Sequence, residues 1–355
     1  MLPDLLKRLL YATGALGIYH RWRNRRTLSV LMLHRVLDPA DPRWPGCDPD
    51  YTLSTHHLGQ CLRFLTRHYN IVNIAAVQQA RRGGHKLPAR ALLITFDDGW
   101  ADNAEHALPL LQGLALPGLM FVVADAVGRQ EAFFQERLLS AWRRGRLSTG
   151  QLAAALRHAG GAAEPATQAL PETETETAHD SASPQAVRRL RHLIAGAEQL
   201  PEPARLALLD ALAPQLADAE RHMVTADELA LLASAGVAIG AHGKTHQPLT
   251  RAADLDAELR GARSALAACM PTAPPPTTMS FPHGQFDAAV VAQAHAAGFD
   301  LLFSSKPVIN STRNGVAACL GRLGVETAML ADAHGRFRPE RLALGLFRRP
   351  HQPLT

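Results

Sequence analysis

Two short stretches of the sequence bring together side chains that can bind a metal. Asp97 and Asp98 are adjacent carboxylates, and His242 and His246 are four residues apart. That spacing places both imidazoles on one side of a helical turn or in a tight loop. Asp98 with the two histidines makes a two-histidine, one-carboxylate set, which suits zinc and other divalent transition metals and leaves positions open for water and substrate. The pattern predicts a catalytic metal site.

Each pair also has an ordinary explanation. The chain contains 17 histidines, so a single pair at this spacing is expected by chance. Adjacent aspartates often cap a helix or occupy a solvated turn. The metal site is favoured because both pairs directly follow buried apolar runs.

These apolar runs have the β-branched composition of buried strands. Helix-like stretches separate several of them, and one carries Leu255, Leu259 and Leu266 at helical spacing. Such alternation predicts a mainly parallel sheet, and in a parallel β/α barrel the carboxyl ends of the strands converge on one face. The metal-binding side chains are expected on that face. The predicted strands span residues 27–33, 91–96, 119–123, 237–241, 277–280 and 299–304.

The region between the third and fourth of these strands shows no strand pattern. Residues 131–222 are rich in Ala, Leu, Arg and Glu, which predicts a helical insertion. Within it, residues 160–184 contain few apolar side chains, and residues 172–177 alternate Glu with Thr, which predicts a flexible acidic linker. The predicted organisation is a basic amphipathic segment (1–27), two barrel parts (28–130 and 223–326) that flank the insertion (131–222), and a basic C-terminal tail (327–355).

Composition limits the class of protein. A chain of 355 residues, 47% hydrophobic and 19% charged, forms either one large α/β domain with an insertion or two domains, and it is not disordered. No apolar run approaches the roughly 20 residues that cross a bilayer. The weak apolar region at residues 9–18 lacks a small-residue cleavage site and therefore resembles no signal peptide, which predicts a cytoplasmic location.

Both ends of the chain are basic and amphipathic. The run from His20 to Arg26 contains four arginines, and residues 336–349 mix arginine with leucine. These ends either rest on an anionic membrane, at its inner face, or form solvated helices that pack on the domain. The formal net charge is only +5, and no nucleic-acid-binding module accompanies the arginine run, so no nucleic-acid partner is expected.

Three motifs resemble those of polysaccharide deacetylases with a NodB homology domain. Residues 95–100, Thr-Phe-Asp-Asp-Gly-Trp, are similar to the first motif of that family. Residues 242–246 are similar to the second, His-Ser/Thr-x-x-His, and residues 281–284, Phe-Pro-His-Gly, resemble the third, usually Pro-Tyr-Gly. The motifs occur in the family order, and the resemblance covers about residues 28–127 and 224–325.

The resemblance implies a fold and a chemistry. The fold is a distorted (β/α)7-type barrel, here with a helical insertion, and the reaction is metal-dependent hydrolysis of the acetamide of N-acetylated sugars. By motif position, Asp97 is the general base. The implied metal ligands are Asp98, His242 and His246, and the implied metal is zinc, with cobalt or nickel as alternatives. Substrate or oxyanion binding falls to Pro282 and to a backbone N–H near His283.

The three motifs do not assign the acid that protonates the leaving amine. Residues 30–36 resemble the amino-terminal motif of a circularly permuted branch of the family, which makes His34 the implied acid. Its alternative is an ordinary histidine at the end of a strand. The usual arginine before the third motif is absent, and Arg322 is a candidate substitute.

The second and third motifs depart from the family pattern in other ways. Gly243 stands where the second motif has a hydroxyl residue, and His283 stands where the third has tyrosine. The predicted function is removal of acetyl groups from a polysaccharide or surface-glycan intermediate. Two alternatives remain open: an O-acetyl carbohydrate esterase and a non-catalytic glycan-binding protein that retains the barrel.

Overall fold

The computed structural model describes residues 3–160 and 183–352. Within that part of the chain the contacts divide it into two compact units. Unit 1 comprises residues 3–39, 49–129 and 222–352, and unit 2 comprises residues 40–48 and 130–221. Most of the predicted acidic linker at residues 160–184 lies outside the described residues. Among the described helices, none is long and apolar enough to span a membrane.

Unit 1 is built on a mainly parallel sheet. Its described strands are β1 (Thr27–Leu33), β2 (Arg35–Leu37), β3 (Thr52–Ser54), β4 (Asn70–Ile71), β5 (Ala91–Phe96), β6 (Gly118–Val122), β7 (Val237–Ala241), β8 (Thr278–Ser280), β9 (Leu301–Phe303), β10 (Asn310–Ser311), β11 (Cys319–Leu320) and β12 (Leu323–Gly324). Among these, seven run parallel in the order β1-β5-β6-β7-β8-β9-β11. β10 lies antiparallel beside β1, β4 pairs with β5, and β2 pairs with β3 separately.

The two edges of this sheet are joined by one short segment. β11 pairs with β9 at one edge, and β12, only two residues further along, pairs with β1 at the other. Gly321 and Arg322 therefore cross the seam and bring the sheet nearly to closure. The predicted distorted barrel of the (β/α)7 type is confirmed.

Strand residues alternate between two cores, as the two-residue period of a β-strand requires. Ala91 and Leu93 of β5 belong to a cluster with Leu28, Phe121 and Phe303, which fills the inside of the barrel. The intervening residues, such as Leu92 and Ile94 of β5, pack in the larger cluster that includes the helices. Thr95 and Asp97 continue the inner set, so the end of β5 directs Asp97 into the barrel.

Helices surround the sheet of unit 1. They are α1 (Asp4–Ala12), α2 (Ala15–Arg23), α3 (Thr55–His68), α4 (Ile74–Arg81), α5 (Leu108–Gly113), α11 (Ala226–Ser234), α12 (Leu255–Cys269), α13 (Ala288–Ala296), α14 (Thr327–Leu330) and α15 (Pro339–Phe347). The predicted helix around Leu255 is α12. It begins where the Asp254 side chain accepts a hydrogen bond from the Ala257 N–H at 2.9 Å.

The segment predicted as a basic C-terminal tail, residues 327–355, contains the helices α14 and α15. Leu342, Leu346 and Phe347 of α15 are fully buried and belong to the main core cluster of unit 1. The apolar stripe of this short helix outweighs its flanking arginines, because burying each such side chain contributes about 1.5–3 kcal/mol.

Unit 2 is helical. Its described helices are α6 (Phe134–Arg143), α7 (Thr149–His158), α8 (Pro184–Gln199), α9 (Glu202–Ala211) and α10 (Ala213–Leu216). They share a core that contains Leu138, Trp142, Leu152 and Leu190. Residues 40–48, predicted to lie in the first barrel part, belong to this unit, where Asp48 accepts a hydrogen bond from Arg191 at 2.9 Å.

Candidate active site

Asp97 lies at the carboxyl end of β5 and is bound by Arg322. Asp97 is 2% exposed. Arg322 donates from Nη1 to Oδ1 at 2.6 Å and from Nη2 to Oδ2 at 2.7 Å, the bidentate geometry of strong guanidinium–carboxylate pairs. The candidate substitute for the missing motif arginine therefore does contact the predicted base.

Arg322 is itself held on several sides. Its Nη2 donates to Ser280 Oγ at 2.8 Å and its Nε to the Ser304 carbonyl at 3.2 Å. The guanidinium carbon lies 5.4 Å from the centre of the Phe121 ring. These contacts leave the guanidinium one orientation, so the orientation of Asp97 is also fixed.

Asp98 points to a different set of partners. Its Oδ1 lies 3.3 Å from His242 Nε2 and 3.4 Å from His246 Nε2. Its Oδ2 accepts a hydrogen bond from Trp100 Nε1 at 2.9 Å. One ligand atom from each of Asp98, His242 and His246 lies within 4.8 Å of the other two. The predicted metal ligands are thus brought together.

The tautomer of His242 suits a metal ligand. Its Nδ1–H donates to the Ser280 carbonyl at 3.0 Å, which leaves Nε2 to face Asp98. Metal-binding histidines commonly use their second nitrogen in this way. The main-chain N–H of His242 donates to the Val122 carbonyl at 2.8 Å, so β6 fixes the start of the motif.

A buried glutamate organises the loop between the two histidines. Glu258, on α12, is 3% exposed. Its Oε2 accepts hydrogen bonds from the N–H groups of Lys244 and Thr245 at 2.9 and 3.2 Å. Its Oε1 accepts from Thr245 Oγ1 at 2.7 Å and from Gln247 Nε2 at 3.0 Å. This loop is therefore tied to α12 rather than free.

Backbone strain is concentrated at the site. Among the described residues, five non-glycine residues have a positive φ, and three of them are Asp98 (φ 78), His246 (φ 68) and His283 (φ 55). Each such conformation costs about 1–3 kcal/mol. The surrounding hydrogen bonds maintain these conformations and fix where the side chains point.

The two adjacent carboxylates differ in what keeps them ionised. Burial raises the pKa of Asp97, but the charges of Arg322 and His242 lower it more, so its pKa lies below the usual value. Burial likewise raises the pKa of Asp98, but His242 and His246 hold it well below the usual range. Burial lowers the pKa of His242, and Asp97 and Asp98 more than reverse this effect. The site therefore attracts positive charge.

His34 lies at the same end of the barrel, between β1 and β2. It is half-buried, and its charge lowers the pKa of both Asp97 and Asp98. Its ring makes an edge contact with Tyr51 at 4.9 Å, and its carbonyl accepts a hydrogen bond from Asn103 at 3.1 Å. His34 therefore lies within electrostatic range of both carboxylates.

Pro282 and His283 form a tight turn after β8. Pro282 is buried, whereas His283 is exposed. His283 Nε2–H donates to the His246 carbonyl at 3.0 Å, and the two rings lie 4.7 Å apart. The third motif therefore contacts the second directly.

Two contributors to the site were not identified from the sequence. Ser280 touches both Arg322 and His242, and Glu258 holds the histidine loop. The role of Glu258 could have been predicted, because it lies beside Leu255 and Leu259 on the apolar face of a helix. A buried carboxylate at such a position is costly unless it is hydrogen-bonded or paired. Ser280 carries no comparable signal.

Solved structures support the fold assignment. IcaB from Ammonifex degensii is 16% identical with a TM-score of 0.55, over 91% of this chain and 97% of that one. A Streptococcus pyogenes deacetylase, PplD, solved in complex with acetate, is 14% identical with a TM-score of 0.54, over 90% of this chain and 98% of that one. At these identities the likeness concerns the fold.

Sequence comparisons identify the family. A segment of 59 residues is 39% identical to a poly-beta-1,6-N-acetyl-D-glucosamine N-deacetylase from Escherichia coli (strain K12), but it covers only 17% of this chain and 9% of that protein. The model of one family, polysaccharide deacetylase, matches residues 84–174 and 211–302, just over half of the 355 residues. With the motif order and the barrel, this match shows that the chain belongs to the polysaccharide deacetylase family.

Proposed function

We propose that this chain is a metal-dependent hydrolase that removes acetyl groups from N-acetylated sugars of a polysaccharide or surface-glycan intermediate. The observation that carries the proposal is that the adjacent carboxylates of Asp97 and Asp98 have different partners. One carboxylate is paired with a guanidinium and the other with two imidazoles. The match to a poly-beta-1,6-N-acetyl-D-glucosamine N-deacetylase supports the sugar class.

The donor set fits a divalent transition metal. Asp98, His242 and His246 supply one oxygen and two nitrogens, which suit zinc, with cobalt or nickel as alternatives. The Ser280 carbonyl presets His242 for this task. A bound divalent ion would polarise the acetyl carbonyl and acidify the attacking water.

The other residues then act on protons and charge. Asp97, ionised and oriented by Arg322, accepts a proton from the water that attacks the acetyl carbon. The C–N bond breaks as His34 gives a proton to the departing amine, which yields acetate and a free amino sugar. We assign stabilisation of the developing oxyanion to the turn at Pro282 and His283.

Tyr51 offers a surface for the sugar itself. This residue is 48% exposed, and its ring lies against His34. Sugar rings present apolar C–H faces that pack on exposed aromatic rings. A glycan that contacts Tyr51 would lie next to the proposed acid.

Acetate release by the purified chain tests the proposal. The substrates are β-1,6-linked N-acetylglucosamine oligomers, other N-acetylated oligosaccharides and an O-acetylated sugar, each assayed with chelator and then with added zinc, cobalt or nickel. Metal-restored release from an N-acetylated oligomer is the expected result. Release from the O-acetylated sugar alone would identify an esterase, and glycan binding without release would identify a non-catalytic protein. The cytoplasmic location stays a prediction, which cell fractionation would test.

A further inference from the structure

Exposed hydrophobic side chains are concentrated in α1 and α2. Of the ten large hydrophobic side chains exposed among the described residues, six lie between residues 5 and 22. Leu5, Trp22 and Ile18 are the most exposed of them, at 78%, 74% and 60%. We call residues 3–26 the α1–α2 surface. Water-exposed tryptophan and leucine at this density usually mark an interaction site.

This exposure is not a consequence of loose packing. On its opposite face, α2 buries Leu16 and His20, and Asn24, which directly follows the helix, is also buried. The His20 ring stacks on Phe347 at 4.0 Å, and Asn24 donates to the Phe347 carbonyl at 3.0 Å. The helix is therefore anchored to α15 while its apolar outer side chains face solvent.

The same segment is strongly basic. Residues 3–26 contain six Lys and Arg side chains and one carboxylate, Asp4, which is paired with Lys7 at 2.7 Å. The resulting charge of +5 equals the formal net charge of the whole chain. Arg8, Arg21, Arg25 and Arg26 are exposed.

Nearby histidines show the effect of this charge. Burial lowers the pKa of His68, and Arg21 lowers it further. Burial also lowers the pKa of His351, as do the charges of Arg23 and Arg313. A positive field therefore extends around the carboxyl end of α2.

We propose that the α1–α2 surface docks the protein on a bilayer rich in anionic phospholipid. Apolar side chains flanked by arginine are the pattern of helices that lie in a membrane interface, and tryptophan is enriched at that depth. Basic side chains near such a surface are attracted to the anionic headgroups. A second copy of the chain fits less well, because a symmetric dimer would bring two basic patches together.

Vesicle sedimentation of the full chain tests this proposal. We expect binding to vesicles of phosphatidylcholine with phosphatidylglycerol at least about tenfold stronger than to phosphatidylcholine alone. Raising the salt from about 0.1 M to about 0.5 M should release the protein, since the Debye length shortens. Absence of binding to the anionic vesicles at low salt would overturn the proposal.

Paired variants separate the apolar from the charged contribution. Trp22→Ala should weaken anionic-vesicle binding about fivefold or more, whereas Leu231→Ser, at an exposed leucine of α11, should not. Arg25→Gln with Arg26→Gln should weaken it more than Arg157→Gln with Arg188→Gln, which removes the same charge from unit 2. Equal effects within either pair would overturn the proposal. Light scattering that shows a dimer for the parent and a monomer for Trp22→Ala would also overturn the proposal. In that case a second copy of the chain, and not a bilayer, would cover the α1–α2 surface.

Discussion

Arg322 binds both oxygens of Asp97, at 2.6 and 2.7 Å, although 225 residues separate them in the chain. Arg322 lies in the two-residue segment that crosses the seam of the barrel, between β11 and β12. The contact that orients the proposed base therefore forms only when the sheet closes. The step that closes the barrel therefore also completes this part of the active site.

Replacing Arg322 should damage both stability and activity. Arg322→Gln leaves the Asp97 carboxylate buried without its counter-charge, which costs about 3–5 kcal/mol of unfolding free energy. The proposed base also loses its orientation, so kcat/KM for acetate release should fall about 100-fold or more. Urea denaturation and acetate release measure the two effects.

The matched control is the isosteric variant Asp97→Asn. It should abolish turnover while the metal content of the purified protein stays unchanged, because Asp98 and the two histidines remain. The double variant Asp97→Asn with Arg322→Gln should be more stable than Arg322→Gln alone, since no buried carboxylate is left unpaired. Full activity in either single variant would contradict the role assigned to this pair.

Much of the barrel could be predicted from the sequence because its strands are buried on both faces. A strand such as β5, with six buried residues in a row, is visible as an apolar run without any knowledge of its neighbours. The predicted and observed bounds of β1, β5 and β7 coincide. The metal ligands follow directly from β5 and β7, so their convergence could also be predicted.

Contacts made across the barrel could not be predicted in the same way. Arg322 was a candidate partner of Asp97 only through the family resemblance, because the pairing depends on how the last strands close the sheet, which no local pattern encodes. For α15 the sequence left two alternatives open, a membrane-bound helix and a helix packed on the domain, and the burial of Leu342 and Phe347 decides in favour of packing. Local periodicity thus identified the strands and helices, whereas tertiary packing decided which residues they contact.

Glu258 should control metal affinity without touching the metal. Glu258→Gln keeps a hydrogen-bond acceptor but removes the charge that holds the Lys244 and Thr245 N–H groups. Loss of such support for a ligand loop typically lowers metal affinity about 10–100-fold. Zinc titration of the apoprotein measures this, and Asp256→Asn, at an exposed carboxylate on the same helix, should leave the affinity unchanged. Unaltered zinc affinity in Glu258→Gln would rule out this supporting role.

Trp100 should strengthen metal binding through its hydrogen bond to Asp98. Trp100→Phe keeps an aromatic ring against the Arg35 guanidinium, which lies 4.4 Å from the indole centre, but removes the hydrogen bond to Asp98 Oδ2. A hydrogen bond to a charged group is worth about 1.5–3 kcal/mol, so zinc should bind at least about tenfold more weakly. Trp142→Phe makes the same change at a buried position in unit 2 and should not alter zinc binding. A similar loss in both variants would mean a general packing effect.

Replacing Gly243 with serine, a hydroxyl residue of the kind that the family's second motif has at this position, should destabilise the protein. Its φ is +71°, and a Cβ atom at this position would lie 3.0 Å from Pro282 Cγ. Gly243→Ser should therefore lower the unfolding free energy by about 1–2 kcal/mol, the usual cost of a left-handed side-chain residue. Gly113→Ser, where no atom lies within 4 Å of the added carbon, is the control. A serine at position 243 that stabilises the protein would show that the turn can adopt another conformation.

His20 should make the protein sensitive to acid. Burial, with the charges of Arg90 and His68, lowers the pKa of His20 to about 3. The unfolded chain binds the proton with an ordinary pKa of about 6.5, so acid favours unfolding. The stabilisation from the neutral ring is complete above about pH 6.5 and declines as the pH falls toward 3, by about 1.4 kcal/mol for each pH unit.

Urea denaturation between pH 7 and pH 5 should therefore show a loss of about 2 kcal/mol from this residue. His20→Phe keeps a ring to stack on Phe347 and cannot take up the proton, so its stability should change less over the same range. The variant also removes the acceptor of the Asn24 hydrogen bond, made at 2.8 Å, so it should be less stable than the parent at pH 7. The informative quantity is thus the slope of stability against pH, and identical slopes in the two proteins would show that His20 is not the titrating group.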